Sequence, residues 1–133
     1  MGALLVLLAA CTIPIQTVTF KGTRTERFLY GVAYYQKVSD DKHKLVFEEG
    51  EFKDHEDYCA WVVRDPYLGD VVGLNNKNPR CQEYKPEWLA LHEVCHLRMA
   101  HLEIIGTLSH EKREAEVVEC MRAYDARIDR RTK

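Results

Sequence analysis

Residues 92–96 read His-Glu-Val-Cys-His, and this five-residue run constrains the chain more than any other feature. Two imidazoles four positions apart share a face and lie close together, about one turn from each other, on an α-helix. The surroundings suit a helix. Pro86 and Glu87 stand where a helix start favours proline and an acid, and Leu89, Leu91, Leu97 and Leu102 supply apolar surface to bury. The pattern predicts a helix over 87–105, stopped at Gly106. A second helix, capped by Thr107 or Ser109, is expected to run to about Ile128, with Val117, Met121, Tyr124 and Ile128 as its apolar stripe.

Upstream the texture is that of strands. Thr17–Phe20, Phe28–Tyr35, Lys44–Glu48, Tyr58–Arg64 and Asp70–Leu74 are short runs rich in β-branched and aromatic residues. Asp65-Pro66 marks a turn, and residues 75–79 (NNKNP) a loop. Strands followed by two helices predict an α+β fold, a small antiparallel or mixed sheet with the His-bearing helix behind it. A chain of 133 residues is one domain's worth. With 46% hydrophobic and 30% charged residues it has the composition of a globular domain rather than a disordered chain. The net charge of −2 offers no basic excess for nucleic acid.

The chemistry of the motif follows from its residue types. His92 and His96 can meet one Zn²⁺ at about 2.0–2.1 Å, and zinc lowers the pKa of a coordinated water to about 7. Glu93, next to the first ligand, can take a proton from that water. A catalytic zinc site also needs a third protein ligand and an open position. His101 is one candidate, but on a continuous helix it lies about 140° around from His96. Glu114, Glu116 and Glu119 on the second helix are the others, with Glu114 nearest the apolar face.

The H-E-x-x-H run resembles the zincin metallopeptidases. A third His in the metzincin pattern would fall at Leu102, and Met99 stands where that pattern has glycine. The gluzincin type takes its third ligand from a Glu on the following helix. The Arg-Glu-Ala-Glu-Val-Val run at 113–118 also resembles the acidic second-helix segment of small phage and mobile-element metallopeptidases. On that resemblance Glu116 ranks first, Glu114 second and Glu119 third. Cys120 stands where many relatives carry Asp or Asn. The resemblance implies a single zincin-like domain over residues 12–133, hydrolysing an amide bond in a peptide or protein substrate. It also implies a substrate lying along an edge strand, for which Asp70–Leu74 is the candidate.

Supporting roles fall to His110 or Tyr124 as donors to an oxyanion, and to Asp125 as a partner orienting a ligand. Trp61 and Trp88 read as core aromatics.

The apolar run Ala3–Ala10 is too short to span a bilayer. With Leu8-Ala9-Ala10-Cys11 it resembles a bacterial lipoprotein signal over residues 1–11, which implies a lipid anchor at Cys11 and a place in the cell envelope. No Lys or Arg precedes the run, and a cytoplasmic protein with an ordinary N-terminal strand is the alternative. Export permits disulfides among the remaining cysteines, with Cys59–Cys81 and Cys95–Cys120 as the candidate pairs. The competing functional readings are a metal-binding module without turnover and a domain whose histidines bind no metal.

Overall fold

The computed structural model describes residues 18–99 and 114–125. The element order is α1 (Arg24–Val38), β1 (Val46–Glu49), β2 (Ala60–Asp65), β3 (Gly69–Leu74), a 3₁₀ turn (Pro79–Glu83), α2 (Pro86–Arg98) and α3 (Glu114–Asp125). Among the described residues this is an α+β arrangement: a three-stranded mixed sheet and three helices. The N-terminal segment 1–11, His101, the Gly106 stop, the caps at Thr107 and Ser109, His110 and Ile128 lie outside the described residues. Among the described residues, no helix is long and apolar enough to cross a membrane.

The segment Phe28–Tyr35, expected as a strand, is the heart of α1. Thr23 accepts a hydrogen bond from the Glu26 amide, and the Glu26 side chain accepts one from the Thr23 amide. This reciprocal cap satisfies two of the donors a helix start leaves open. The buried positions Phe28, Gly31, Val32 and Tyr35 recur at helical spacing and face the interior. Period, not residue type, decided the structure. Gly31 lets α1 cross α2 closely, because a Cβ there would come within 2.8 Å of the Ala90 Cβ. Val18, Thr19 and Phe20 form no strand either. The Phe20 amide donates to Glu87 Oε2 at 2.8 Å, and its ring packs edge-on against Tyr30 and Tyr34.

In the sheet β3 is central, parallel to β1 and antiparallel to β2. The strand Asp70–Leu74 is therefore not an edge, and its backbone is occupied on both sides. Among the described residues the edges are β1 and β2. Alternation assigns Ala60, Val62, Val72 and Leu74 to the main core with the helices. Trp61, Val63 and Val71 join Phe52 and Tyr58 in a smaller cluster. Gly73 is required here, because a Cβ would meet the Trp61 ring at 1.9 Å.

Helix α2 is the central element. Apart from Trp88, every residue from Pro86 to Leu97 is buried. A helix buried on all sides needs apolar residues around its circumference, and Leu89, Ala90, Leu91, Val94, Cys95 and Leu97 provide them. Glu87, fully buried, is matched by Arg27, whose Nε and Nη2 donate to its two oxygens at 3.0 and 2.8 Å. Cys59–Cys81 ties the approach to β2 to the 3₁₀ turn, and Cys95–Cys120 ties α2 to α3. Both candidate pairs are thus bridged. Each closes a loop long enough to lower the entropy of the unfolded chain by about 3 kcal/mol.

Candidate metal centre

Helix α2 ends at Arg98, with Met99 as its C-cap. The helix carries His92 and His96 one turn apart, with ring centroids separated by 4.8 Å. Both are nearly inaccessible, at 8% and 4% exposure. Two buried imidazoles in a core helix need polar partners, and α3 supplies one. Glu114 Oε2 lies 3.0 Å from His92 Nε2, and Glu114 Oε1 lies 3.6 Å from His96 Nε2. One ligand atom from each of His92, His96 and Glu114 falls within 4.8 Å of the others, a grouping able to hold a metal ion.

The acid that meets the histidines is Glu114 rather than Glu116, the residue ranked first from the sequence. Val117 and Met121 are the buried positions of α3. Glu114 lies seven residues before Met121, two full turns, and so projects from nearly the same face. Glu116 is about 100° around from Val117 and is exposed. Glu119 is also exposed, paired with Arg122 at 3.1 Å. Tyr124 packs against the main core, with the Arg98 guanidinium 5.6 Å above its ring.

Glu93, 2% exposed, turns its Oε2 to His92 Nδ1 at 2.8 Å. A carboxylate therefore stands at each nitrogen of the His92 ring. Burial pushes the His92 imidazolium down, but the charge of Glu93 and the hydrogen bonds to Glu114 and Glu93 outweigh it. The pKa is raised from 6.5 to about 10. The carboxylates on both sides of the ring thus favour its protonated, cationic form.

Aromatic rings continue the wall of the site. Trp88, one turn before His92, stacks on its ring at 5.3 Å and on Tyr84 at 5.6 Å. Trp88 is only partly buried and borders the histidine, so it belongs to the site as well as to the core. Its spacing of four from His92 was the available sign. On the other side the Glu114 side chain is 39% exposed, but its Oε1, turned to His96, is buried, so the cluster lies beneath the surface at the α2–α3 interface.

The donor set of two imidazoles and one carboxylate matches the three-ligand sets of divalent transition-metal sites that keep a position open. The chain matches no protein-family model, no curated protein and no solved structure.

Proposed function

We propose that the protein is a small zinc-dependent metallohydrolase, a peptidase, with His92, His96 and Glu114 as its metal ligands. The observation that carries this reading is the convergence of both Nε2 atoms on the Glu114 carboxylate at the α2–α3 interface. A zinc ion held there would supply Lewis acidity toward an amide carbonyl and an activated water in the open position. Glu93 is the proton carrier. Its carboxylate takes a proton from the attacking water and returns it to the leaving amine, so the residue ends each cycle unprotonated. The His92 and His96 rings are buried on α2, and the Trp88 ring keeps water from one side of His92. The substrate is a peptide or protein segment. The lipobox-like run ending at Cys11 supports an envelope location with a lipid anchor as the membrane attachment.

One contact favours a second reading. Glu93 sits on Nδ1 of His92, the nitrogen turned away from Glu114. Carboxylates in that position orient a ligating imidazole and raise its basicity. A protein in which Glu93 does only this is a metal-binding module without turnover. The Glu93→Gln variant separates the two. The hydrolase reading expects metal retained and hydrolysis of peptides, including cell-wall peptides, abolished. Zinc-loaded wild type that cleaves no peptide in such a screen leaves the binding module.

A further inference from the structure

Both histidines come from one helix, so their mutual spacing is guaranteed by α2 alone. The third ligand has no such guarantee. Glu114 comes from α3, and its distance to the imidazoles depends on how α3 is rotated and shifted against α2. One residue of axial slip moves a side chain by about 1.5 Å along the helix, with about 100° of rotation. Metal–ligand distances tolerate only about 0.2 Å. Something must fix the register of the two helices more tightly than apolar packing alone, which permits repacking at modest cost.

Among the described residues, one covalent bond joins the two helices. Cys95 is part of the motif itself, between Glu93 and His96, and is fully buried. It is bonded to Cys120 with a Cα–Cα distance of 5.8 Å. Cys120 lies less than two turns along α3 from Glu114, on the same rigid element. Val117 and Met121 pack beside it. The bond therefore pins α3 at a point next to a metal ligand on one side and close to the third ligand on the other.

We infer that the Cys95–Cys120 disulfide is a positioning device for Glu114, and that its oxidation state sets the affinity of the site for metal. The inference rests on the reading of His92, His96 and Glu114 as metal ligands and does not require hydrolysis. The redox step is a two-electron exchange with thiols. Two glutathione thiols reduce the Cys95–Cys120 bond to two cysteines, the sulfur–sulfur bond breaks, and one glutathione disulfide forms. Helix α3 is then held to α2 by packing and by the non-covalent contacts of Glu114 and of Arg98 with Tyr124, and the register of Glu114 is no longer fixed covalently. The second disulfide is a built-in control. Cys59–Cys81 spans 22 residues against 25 for Cys95–Cys120. The two therefore restrict the unfolded chain almost equally, but Cys59–Cys81 joins elements that carry no metal ligand.

The test is a titration of the full chain with Zn²⁺ alone, in competition with a chelator. The Cys95→Ala/Cys120→Ala variant is expected to lose affinity by about tenfold or more, the range seen when supporting partners of ligands are removed. The Cys59→Ala/Cys81→Ala variant is expected to stay within about twofold of wild type while losing similar stability. Adding Glu114→Ala is expected to cost far less in the Cys95/Cys120 double variant than in wild type, because the carboxylate there is already out of place. A second measurement needs no variant that must fold. In a glutathione redox buffer, Zn²⁺ should protect Cys95–Cys120 of the wild-type chain by the same factor, since linkage is reciprocal, and leave Cys59–Cys81 unaffected, as read by thiol alkylation and mass spectrometry. Unchanged affinity without the Cys95–Cys120 bond, or no selective protection of it by Zn²⁺, overturns the inference alone. A wild-type chain that binds no Zn²⁺ overturns the metal reading and this inference with it.

Discussion

Glu114 Oε2 and His92 Nε2 stand 3.0 Å apart across the α2–α3 interface. The same carboxylate reaches toward His96 with its other oxygen. One acid thus bridges the two imidazoles, and removing it should weaken metal binding more than removing any other carboxylate of α3. Glu114→Ala is expected to lower Zn²⁺ affinity by at least about a hundredfold, whereas Glu116→Ala and Glu119→Ala change it less than about threefold. Competition titration against a chromophoric chelator measures all three.

The proton on His92 gives the metal-free protein a defined pH dependence. The folded-state pKa is raised to about 10 from 6.5. A group whose pKa rises on folding contributes stability that is complete below its unfolded value and is lost as pH climbs through the folded one. The difference in melting temperature between metal-free wild type and His92→Gln should therefore be largest near pH 6 and shrink between about pH 6.5 and 10. Thermal melts in chelator across that window check the sign. A difference that grows toward pH 10 contradicts the assignment.

The same proton must leave before an imidazole can coordinate. Binding of Zn²⁺ at pH 7 is expected to release about one proton, because His92 is protonated there and the ligating form is neutral. Calorimetry in buffers of different ionisation enthalpy reads the number directly. Glu114→Gln, which removes a carboxylate facing His92, should reduce it.

The Arg27–Glu87 pair anchors the start of α2 to α1. Glu87 is fully buried and its two oxygens receive Arg27 and the Phe20 amide. Arg27→Met leaves that carboxylate without its cation, and the expected loss of stability is about 3–5 kcal/mol. Chemical denaturation measures it. An Arg27→Met/Glu87→Met double variant should recover part of the loss, since both charges are then gone.

The helix crossing at Gly31 makes a steric prediction. A methyl group there meets the Ala90 Cβ at 2.8 Å. Gly31→Ala is expected to destabilise by about 1–3 kcal/mol despite alanine's better helix propensity. Because α1 carries no metal ligand, Zn²⁺ stoichiometry should be kept while the melting temperature falls.

Several of these features were legible in the residues and several were not, for physical reasons. The helix bearing His92 and His96 was readable because its apolar residues and terminal proline agree. Helix α1 was misread because Phe28–Tyr35 has the aromatic and β-branched residues of a strand. The Thr23–Glu26 capping box and the 28, 31, 32, 35 spacing carried the opposite, correct signal. Strand order is non-local, so nothing within Asp70–Leu74 revealed that β1 pairs with it in parallel. Phase places Glu114 rather than Glu116 beside the histidines: Glu114 lines up with the buried Met121, two turns along α3. The Arg27–Glu87 pair joins residues 60 positions apart and had no local sign at all.

The most direct measurement is metal content by mass spectrometry of the purified full chain and its His92→Ala, Glu114→Ala and Glu116→Ala variants. The account predicts about one zinc per chain in wild type and in Glu116→Ala, and loss of stoichiometric metal in His92→Ala and Glu114→Ala. Wild type that retains no divalent metal after incubation with zinc, or Glu114→Ala that holds as much as wild type, would contradict it.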